Sequence, residues 1–316
     1  MEKTIYEETK NTKPKVSIVM IAYNVERYIE QAIESVLMQK VNFSYELIIG
    51  EDCSSDKTRE IAKKYQNEYP DKIIVLEHKK NLGLTPNCIA THNKCIGEYI
   101  ALLDSDDFWT DKMKLQQQID FLDQNKKFSA CAHQSEIIFD DLPGESKLFG
   151  DTNDQTYTMR DMLQHRKFHT SSLVYRREYW IKSGGIPSNI LSNERAIYPM
   201  LSCYGNIKYL KNSMCVYRRN SGSISSSITI DMLATDLNMI PWLKKISSSF
   251  AHTQYRSFLH FTTFSYPSNV PIFKLNKHFL LFVFFSFSYF PNNIGDVKHG
   301  MVEYFRQLKK TLTKQL

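Results

Sequence analysis

Two kinds of apolar spacing alternate along the first 125 positions. Residues 16–22 read VSIVMIA, 45–50 YELIIG, 72–76 KIIVL and 98–103 EYIALL. Short aliphatic and β-branched runs bounded by turn residues predict buried strands of a parallel sheet. Between them lie residues 26–39, 55–69, 85–95 and 112–124. The first of these places Ile29, Ala32, Ile33, Val36 and Leu37 three and four apart, so each is read as a helix. Strands alternating with helices of this length mean βαβ units and an α/β fold. Such sheets take ligands outside the carboxyl ends of their strands. That rule singles out Ala22-Tyr23-Asn24, Glu51-Asp52, Asn81-Leu82-Gly83 and the run from Asp104 to Asp107.

Beyond residue 128 the pattern loosens. Strands are expected at 129–139 and 170–175, a helix at 197–203, a short strand at 207–210 and a further extended stretch at 214–219. A serine-rich link, SGSISSSIT from position 221, reads as a domain edge. The division expected is therefore a tail over 1–13, a main domain over 14–222 and a helical extension over 223–316. No internal repeat is visible.

Composition narrows the classes. A chain of 316 residues with 42% hydrophobic content can bury a core, which excludes intrinsic disorder. The net charge of +6 hides an asymmetry: residues 1–199 carry 26 Lys+Arg against 30 Asp+Glu, and residues 200–316 carry 14 against 4. The six cysteines form neither a CxxC pair nor a zinc-type cluster. Residues 1–15 have no apolar segment of the signal-peptide kind. Free thiols and a cytoplasmic location are the expectation. The longest apolar run, FLLFVFFSFSYF at 279–290, falls short of the ~20 residues of a spanning helix. It suits a core helix or an interfacial segment.

The strand ends carry the chemistry. Asp104-Ser105-Asp106 closes a buried strand, and carboxylates two apart on an extended chain point the same way. Such a pair can hold Mg²⁺ or Mn²⁺ against a diphosphate. Glu51-Asp52 ends the neighbouring strand and could accept from a base N–H. Ser54-Ser55-Asp56 behind it reads as a helix cap. Neither GxGxxG nor GxxxxGK[ST] follows a strand, which argues against dinucleotide dehydrogenases, P-loop NTPases and nucleotidyltransferases. His133 and His169 lack partners at ligand spacing and read as structural or acceptor-side residues. Cys53 reads as a small packed residue.

These runs, VSIVMIAYNVERYIEQAIESVLMQ, ELIIGEDCSSDKTREIAKKY, NLG and GEYIALLDSDDFW, together with HTSSLVYRRE and IKYLKNSMCVYRRNSGSIS, resemble family 2 glycosyltransferases. The resemblance covers residues 14 to 222. It implies the GT-A fold and an inverting, metal-dependent transfer from a nucleotide sugar, as in enzymes that build bacterial cell-surface polymers. Tyr23 and Asn24 match the loop lining the nucleobase, and Asp52 the carboxylate that meets uracil. Asp104 matches the first acid of the DxD motif and Asp106 the metal-binding acid. Ala22, Glu51, Asn81 and Ser105 complete the donor side. Arg218 or Arg219 would neutralise the diphosphate, with Asn220 standing where a histidine is usual. Asp107, Trp109 and His169 fall on the acceptor side. The base falls on Glu194, where NER replaces the usual GDW-like run.

The implied partners are a nucleotide sugar, UDP-linked, and a glycan or polyprenyl-linked acceptor. The basic, aromatic last third lacks a nucleic-acid-binding motif and fits an anionic membrane surface at the inner face of the cell membrane. A sugar-nucleotide-binding protein with a degraded site is the other reading.

Overall fold

The computed structural model describes residues 13–142, 144–219, 228–266, 271–287 and 294–313. Asn220, the serine-rich link up to residue 227 and the end of the Phe-rich run (288–290) lie outside the described residues. The chain forms two compact units. The first takes residues 1–157, 167–185 and 204–220, and the second takes 158–166, 186–203 and 221–316.

The first unit is built on one sheet. Strand β1 (Val16–Ala22) is its hub. Parallel partners flank it: β2 (Tyr45–Glu51) on one side and β4 (Tyr99–Leu102) on the other, with β3 (Ile73–Glu77) beyond β2. Helices α1 (Ile29–Leu37), α2 (Thr58–Glu68) and α3 (Leu84–Lys94) make the crossovers. β2 is buried along its whole length. That explains its unbroken apolar run, since a strand covered on both faces needs no alternation. Ile29, Ala32, Ile33 and Val36 of α1 join Ile18, Met20, Leu47 and Ile49 in the core. Gly50 lies where α3 presses closest. A Cβ there would run into Thr91 Oγ1 and Asn87 Oδ1, and Asn87 Nδ2 donates to the Gly50 carbonyl at 2.8 Å.

The second half of the sheet is mixed. After β5 (Phe108–Trp109) and α4 (Lys114–Gln124) come β6 (Phe128–Phe139), β7 (Ser146–Phe149) and β8 (Gln155–Tyr157). With β9 (Val174–Arg176) and β10 (Asn206–Arg219), the path of the sheet runs β3-β2-β1-β4-β9-β6-β10-β5, with β7 on β6 and β8 on β10. Three features differ from the sequence expectation. The strand expected at 170–175 begins as a 3-10 turn (Thr170–Ser172), and only Val174–Arg176 pairs, as β9. Ser172 Oγ donates to the His169 carbonyl three residues back at 2.7 Å, which favours a turn over the ladder, while Ser171 Oγ donates across the fold to Asp107. The stretches at 207–210 and 214–219 are one strand, β10 (Asn206–Arg219). Irregularities between Leu210 and Cys215 carry it past the polar residues in between. β5, β7 and β8 are too short to show as apolar runs.

The second unit is helical. It contains α5 (Met159–Met162), most of α7 (Asn193–Tyr204), α8 (Ile230–Ala234), α9 (Met239–Ile246), α10 (His252–Ser265), α11 (Ile272–Ser286) and α12 (Ile294–Thr313). α6 (Arg177–Ser183) belongs to the first. Phe261, Phe264, Leu275 and Phe282 form the core of the second unit with Ile230. Buried Asp236 caps the entrance to α7. It accepts from the backbone N–H of Leu191 at 3.0 Å and Ser192 at 2.9 Å, and from Arg195 at 2.9 Å. Among the described residues no helix is long and apolar enough to cross a membrane.

Candidate active site

The carboxyl ends of β1 and β2 are tied together by side chain-to-backbone hydrogen bonds. Asn24 and Cys53 both have left-handed backbones, φ 53° and 61°. Asparagine tolerates this better than most residues; at Cys53 it is a strained setting where glycine would be at ease. Asn24 accepts from Ser55 N at 2.9 Å, and its own N–H donates to Ser54 Oγ at 3.1 Å. The two strand-end turns therefore fix each other. Asp56, one position before Lys57 at the N-cap of α2, accepts from Thr58 N and Glu26 N, both at 3.0 Å.

Asp52 is buried, and its two carboxylate oxygens accept from Leu82 N at 2.7 Å and Gly83 N at 2.9 Å. It thereby holds the 81–83 loop at the entrance to α3. Fully buried Glu51 accepts from Ser54 N at 2.6 Å and pairs with Arg59 at 2.7 Å. Those contacts spend Glu51 on loop geometry. Ala22 is buried, Asn81 is exposed and Tyr23 stands open at 47% exposure.

The run after β4 gathers the acids. Ser105 is buried, while Asp104 and Asp106 are partly exposed. Asp107 is 1% exposed. It accepts from Ser171 Oγ at 2.6 Å and from the Arg218 N–H at 2.9 Å. The His169 imidazole stands between two carboxylates, Nδ1 3.2 Å from Asp107 and Nε2 4.0 Å from Asp104. Its ring stacks on Tyr217 with centroids 3.9 Å apart. Burial, with the neighbouring charges of Asp106 and Asp104, holds the Asp107 carboxyl well above the usual carboxylate range.

Asp104, Asp107 and His169 bring ligand atoms within 4.8 Å of one another. Carboxylate oxygens with an imidazole nitrogen suit Mn²⁺, and the carboxylates suit Mg²⁺. Crowded negative charge at this point is what a divalent cation would relieve. The residues present therefore fit the metal: Asp107 and His169 join Asp104 in this cluster, and Asp106, which the resemblance implies as the metal-binding acid, is not among its members.

Two expectations change. Trp109 is 1% exposed, belongs to the core, donates from Nε1 to the Ser171 carbonyl at 2.8 Å and carries the Lys114 ammonium over its ring. Its faces are used up, so it offers no wall to an acceptor. Arg218 donates to the Asp106 carbonyl at 3.0 Å, to Asp140 at 3.2 Å and to Gln31 at 2.7 Å. It braces the acidic loop. Arg219 is exposed beside Tyr217. Glu194 lies in the first turn of α7, in the second unit. Its neighbour Arg195 pairs with Asp236, and Lys208 pairs with Asp154.

Ser171 and Asp140 were missed from the sequence. Ser171 links the 169–172 turn to Asp104 N, Asp107 and Trp109, and the HTSS run was its only signal. Asp140 accepts from Tyr28 Oη at 2.5 Å as well as from Arg218. An acid in a loop gives no such hint.

A family sequence profile described as Glycosyl transferase family 2 matches residues 17–185. An uncharacterized protein of Mycobacterium tuberculosis is 31% identical over 216 residues, 68% of this chain and 62% of that protein. The chain thus matches under two thirds of that relative's length. TuaG of Bacillus subtilis, named for teichuronic acid biosynthesis, is 38% identical over 112 residues, 35% of this chain and 43% of that protein. Among solved structures, S. aureus TarS 1–349 in complex with UDP-GlcNAc has a TM-score of 0.62 at 17% identity, covering 93% of this chain and 81% of that one. The mannosyltransferase PcManGT from Pyrobaculum calidifontis, with GDP-Man and Mn²⁺, has 0.56 at 13%, covering 97% and 89%. The fold is of the GT-A kind, and the chain belongs to glycosyl transferase family 2.

Proposed function

We propose that the chain is an inverting glycosyltransferase. It moves one sugar from a UDP-linked donor to a glycan or polyprenyl-linked acceptor, in cell-surface polysaccharide assembly at the inner face of the membrane. The observation that carries the reading is the Asp104–Asp107–His169 cluster at the carboxyl end of β4. The family match and the teichuronic acid name of TuaG support it, as does the UDP-GlcNAc of TarS.

In this reading Tyr23 and Asn24 border the base and Asp52 meets the uracil edge. Asp104 and Asp106 face the donor's ribose and diphosphate. Asp104, Asp107 and His169 would hold Mn²⁺ or Mg²⁺, which when bound offsets the charge that grows on the departing diphosphate. Arg219 is the arginine left to help, since Arg218 is spent on the loop. Glu194 takes the acceptor proton as the hydroxyl attacks the anomeric carbon from the face opposite the leaving group.

The test is thermal shift and transfer assayed together. UDP-sugars should stabilise the protein only with Mn²⁺ present. Asp104→Asn should lose that stabilisation and about 10²–10³-fold in transfer. Glu194→Gln should still bind donor while transfer falls about 10²–10⁴-fold. Full transfer in Glu194→Gln sinks the base assignment. Donor binding indifferent to Mn²⁺ sinks the metal cluster, and binding without turnover supports a degraded, binding-only protein.

A further inference from the structure

Helices α11 and α12 pack against each other at Phe282 and Gly300, where a Cβ on Gly300 would overlap the phenyl ring. Phe279 stacks on Tyr304 with centroids 4.0 Å apart, and Tyr304 Oη donates to Asn276 Oδ1 at 2.9 Å. The inward side of α11 is thus spent on Leu275, His278, Phe282 and Ser286. Its outward side is just as apolar. Phe273, Leu280, Phe284 and Phe287 are 65–69% exposed. With exposed Lys277 they recur at steps of four and three, which is one stripe of a helix. α12 repeats the device with Val302 and Phe305, 67% and 62% exposed, between Lys298 and Lys309. A run of large exposed apolar side chains marks an interaction surface.

Charge decides the occupant. α11 has no acidic residue. Of the four acids in the described part of residues 223–316, Asp231 pairs with Lys274, Asp236 with Arg195 and Glu303 with Arg306, which leaves exposed Asp296 in the first turn of α12. A second copy laid on this surface would bring lysine against lysine. A bilayer with anionic headgroups supplies both the opposite charge and an apolar layer beneath it. At 15 residues α11 is about 22 Å long, short of the ~30 Å hydrocarbon layer, so lying in the interface fits where crossing does not.

We propose that the outer sides of α11 and α12 dock on an anionic bilayer. Phe273, Leu280, Phe284 and Phe305 enter the boundary between headgroups and acyl chains, while Lys277, Lys298 and Lys309 meet lipid phosphates. The proposal extends the membrane-side placement of the acceptor in the reading above, but it stands on the surface of the second unit.

Sedimentation of the full chain with vesicles tests it, using phosphatidylcholine alone and phosphatidylcholine mixed with phosphatidylglycerol. Binding is expected only to the mixed vesicles and should weaken with salt. Lys277→Glu and Lys309→Glu should each cost about fivefold or more in partition, and Phe284→Ser with Phe287→Ser at least about tenfold. These exposed changes should leave the melting temperature and Mn²⁺-dependent donor hydrolysis in vesicle-free buffer as they are. Failure of the donor reaction and failure of docking are therefore read apart. A full chain that stays in the supernatant with mixed vesicles overturns the proposal. So does equal binding to both lipids, or a dimer in light scattering that Phe284→Ser with Phe287→Ser dissolves.

Discussion

Both units have an apolar core, but they differ in what else fixes their parts. In the first, carboxylates and small polar side chains stitch the strand ends. Asp52 reaches the 81–83 loop, Glu51 reaches Ser54, and Asp107 reaches Ser171 and Arg218. In the second, aromatic shape does most of the work, with Phe261, Phe264, Phe279 and Phe282 meeting edge-on or tilted. A buried hydrogen bond fixes direction and distance, whereas a ring contact tolerates tilt. A site that must hold charges at set positions calls for the first kind. A scaffold that presents a surface can use the second.

Three experiments can break or sharpen that contrast. Phe282→Ala removes the ring that fills the space beside Gly300 and Phe264, and should cost about 3–5 kcal/mol of stability. Thermal unfolding followed by near-ultraviolet dichroism reads it. Mn²⁺-dependent binding of UDP-sugar should survive at temperatures where the variant is still folded. Loss of donor binding there would show that the units are not separable in function.

Gly50→Ala makes the reverse demand. Its methyl group must displace Thr91 and Asn87, at about 1–3 kcal/mol. Because β2 leads directly to Asp52, donor affinity should fall along with the melting temperature. Unchanged affinity would mean that the strand end is insulated from α3.

The smallest effect is on pH. His260 and His278 share a hydrogen bond at 3.0 Å between their Nδ1 atoms, so one donates and the other is bare. Burial, reinforced for His260 by His278 and nearby cations, pushes them down to about 3 and about 4. A histidine held neutral in the folded state contributes stability that is intact above its unfolded pKa, about 6.5. That contribution is lost as pH falls toward 4. His92 in the first unit, pushed to about 4 by burial, adds to the same slope. The melting temperature should drop between pH 7 and 4, and less steeply in His278→Gln. An equal slope both in that variant and in His260→Gln with His278→Gln would assign the acid sensitivity to His92 and the first unit.

The βαβ core was legible because parallel strands and their helices leave strong apolar periods. Residues 16–22 and 45–50 fall on β1 and β2 within a residue. The acidic run after β4 was legible for the same reason, since a buried strand that stops in four polar residues marks its own end. What stayed hidden depends on tertiary pairing. Nothing local in Trp109 says that Lys114 and Ser171 will cover it. Nothing in Arg218 says that Gln31, 187 positions away, will take its guanidinium. The long β10 was obscured because its irregularities sit among polar residues that interrupt the apolar count.

The pairing of β10 with β6 has a consequence for the order of events in synthesis. Asp107 receives the Arg218 N–H across a sequence separation of 111, and β10 must insert between β6 and β5 to deliver it. Closing so large a loop is slow compared with forming neighbouring strands. On the ribosome, β1 to β4 can pair while the acidic loop still lacks its brace. The loop acquires its final shape only after residue 219 has emerged. A chain stalled or truncated before that point would keep strands β1 to β4 and lack the brace that sets the acidic loop.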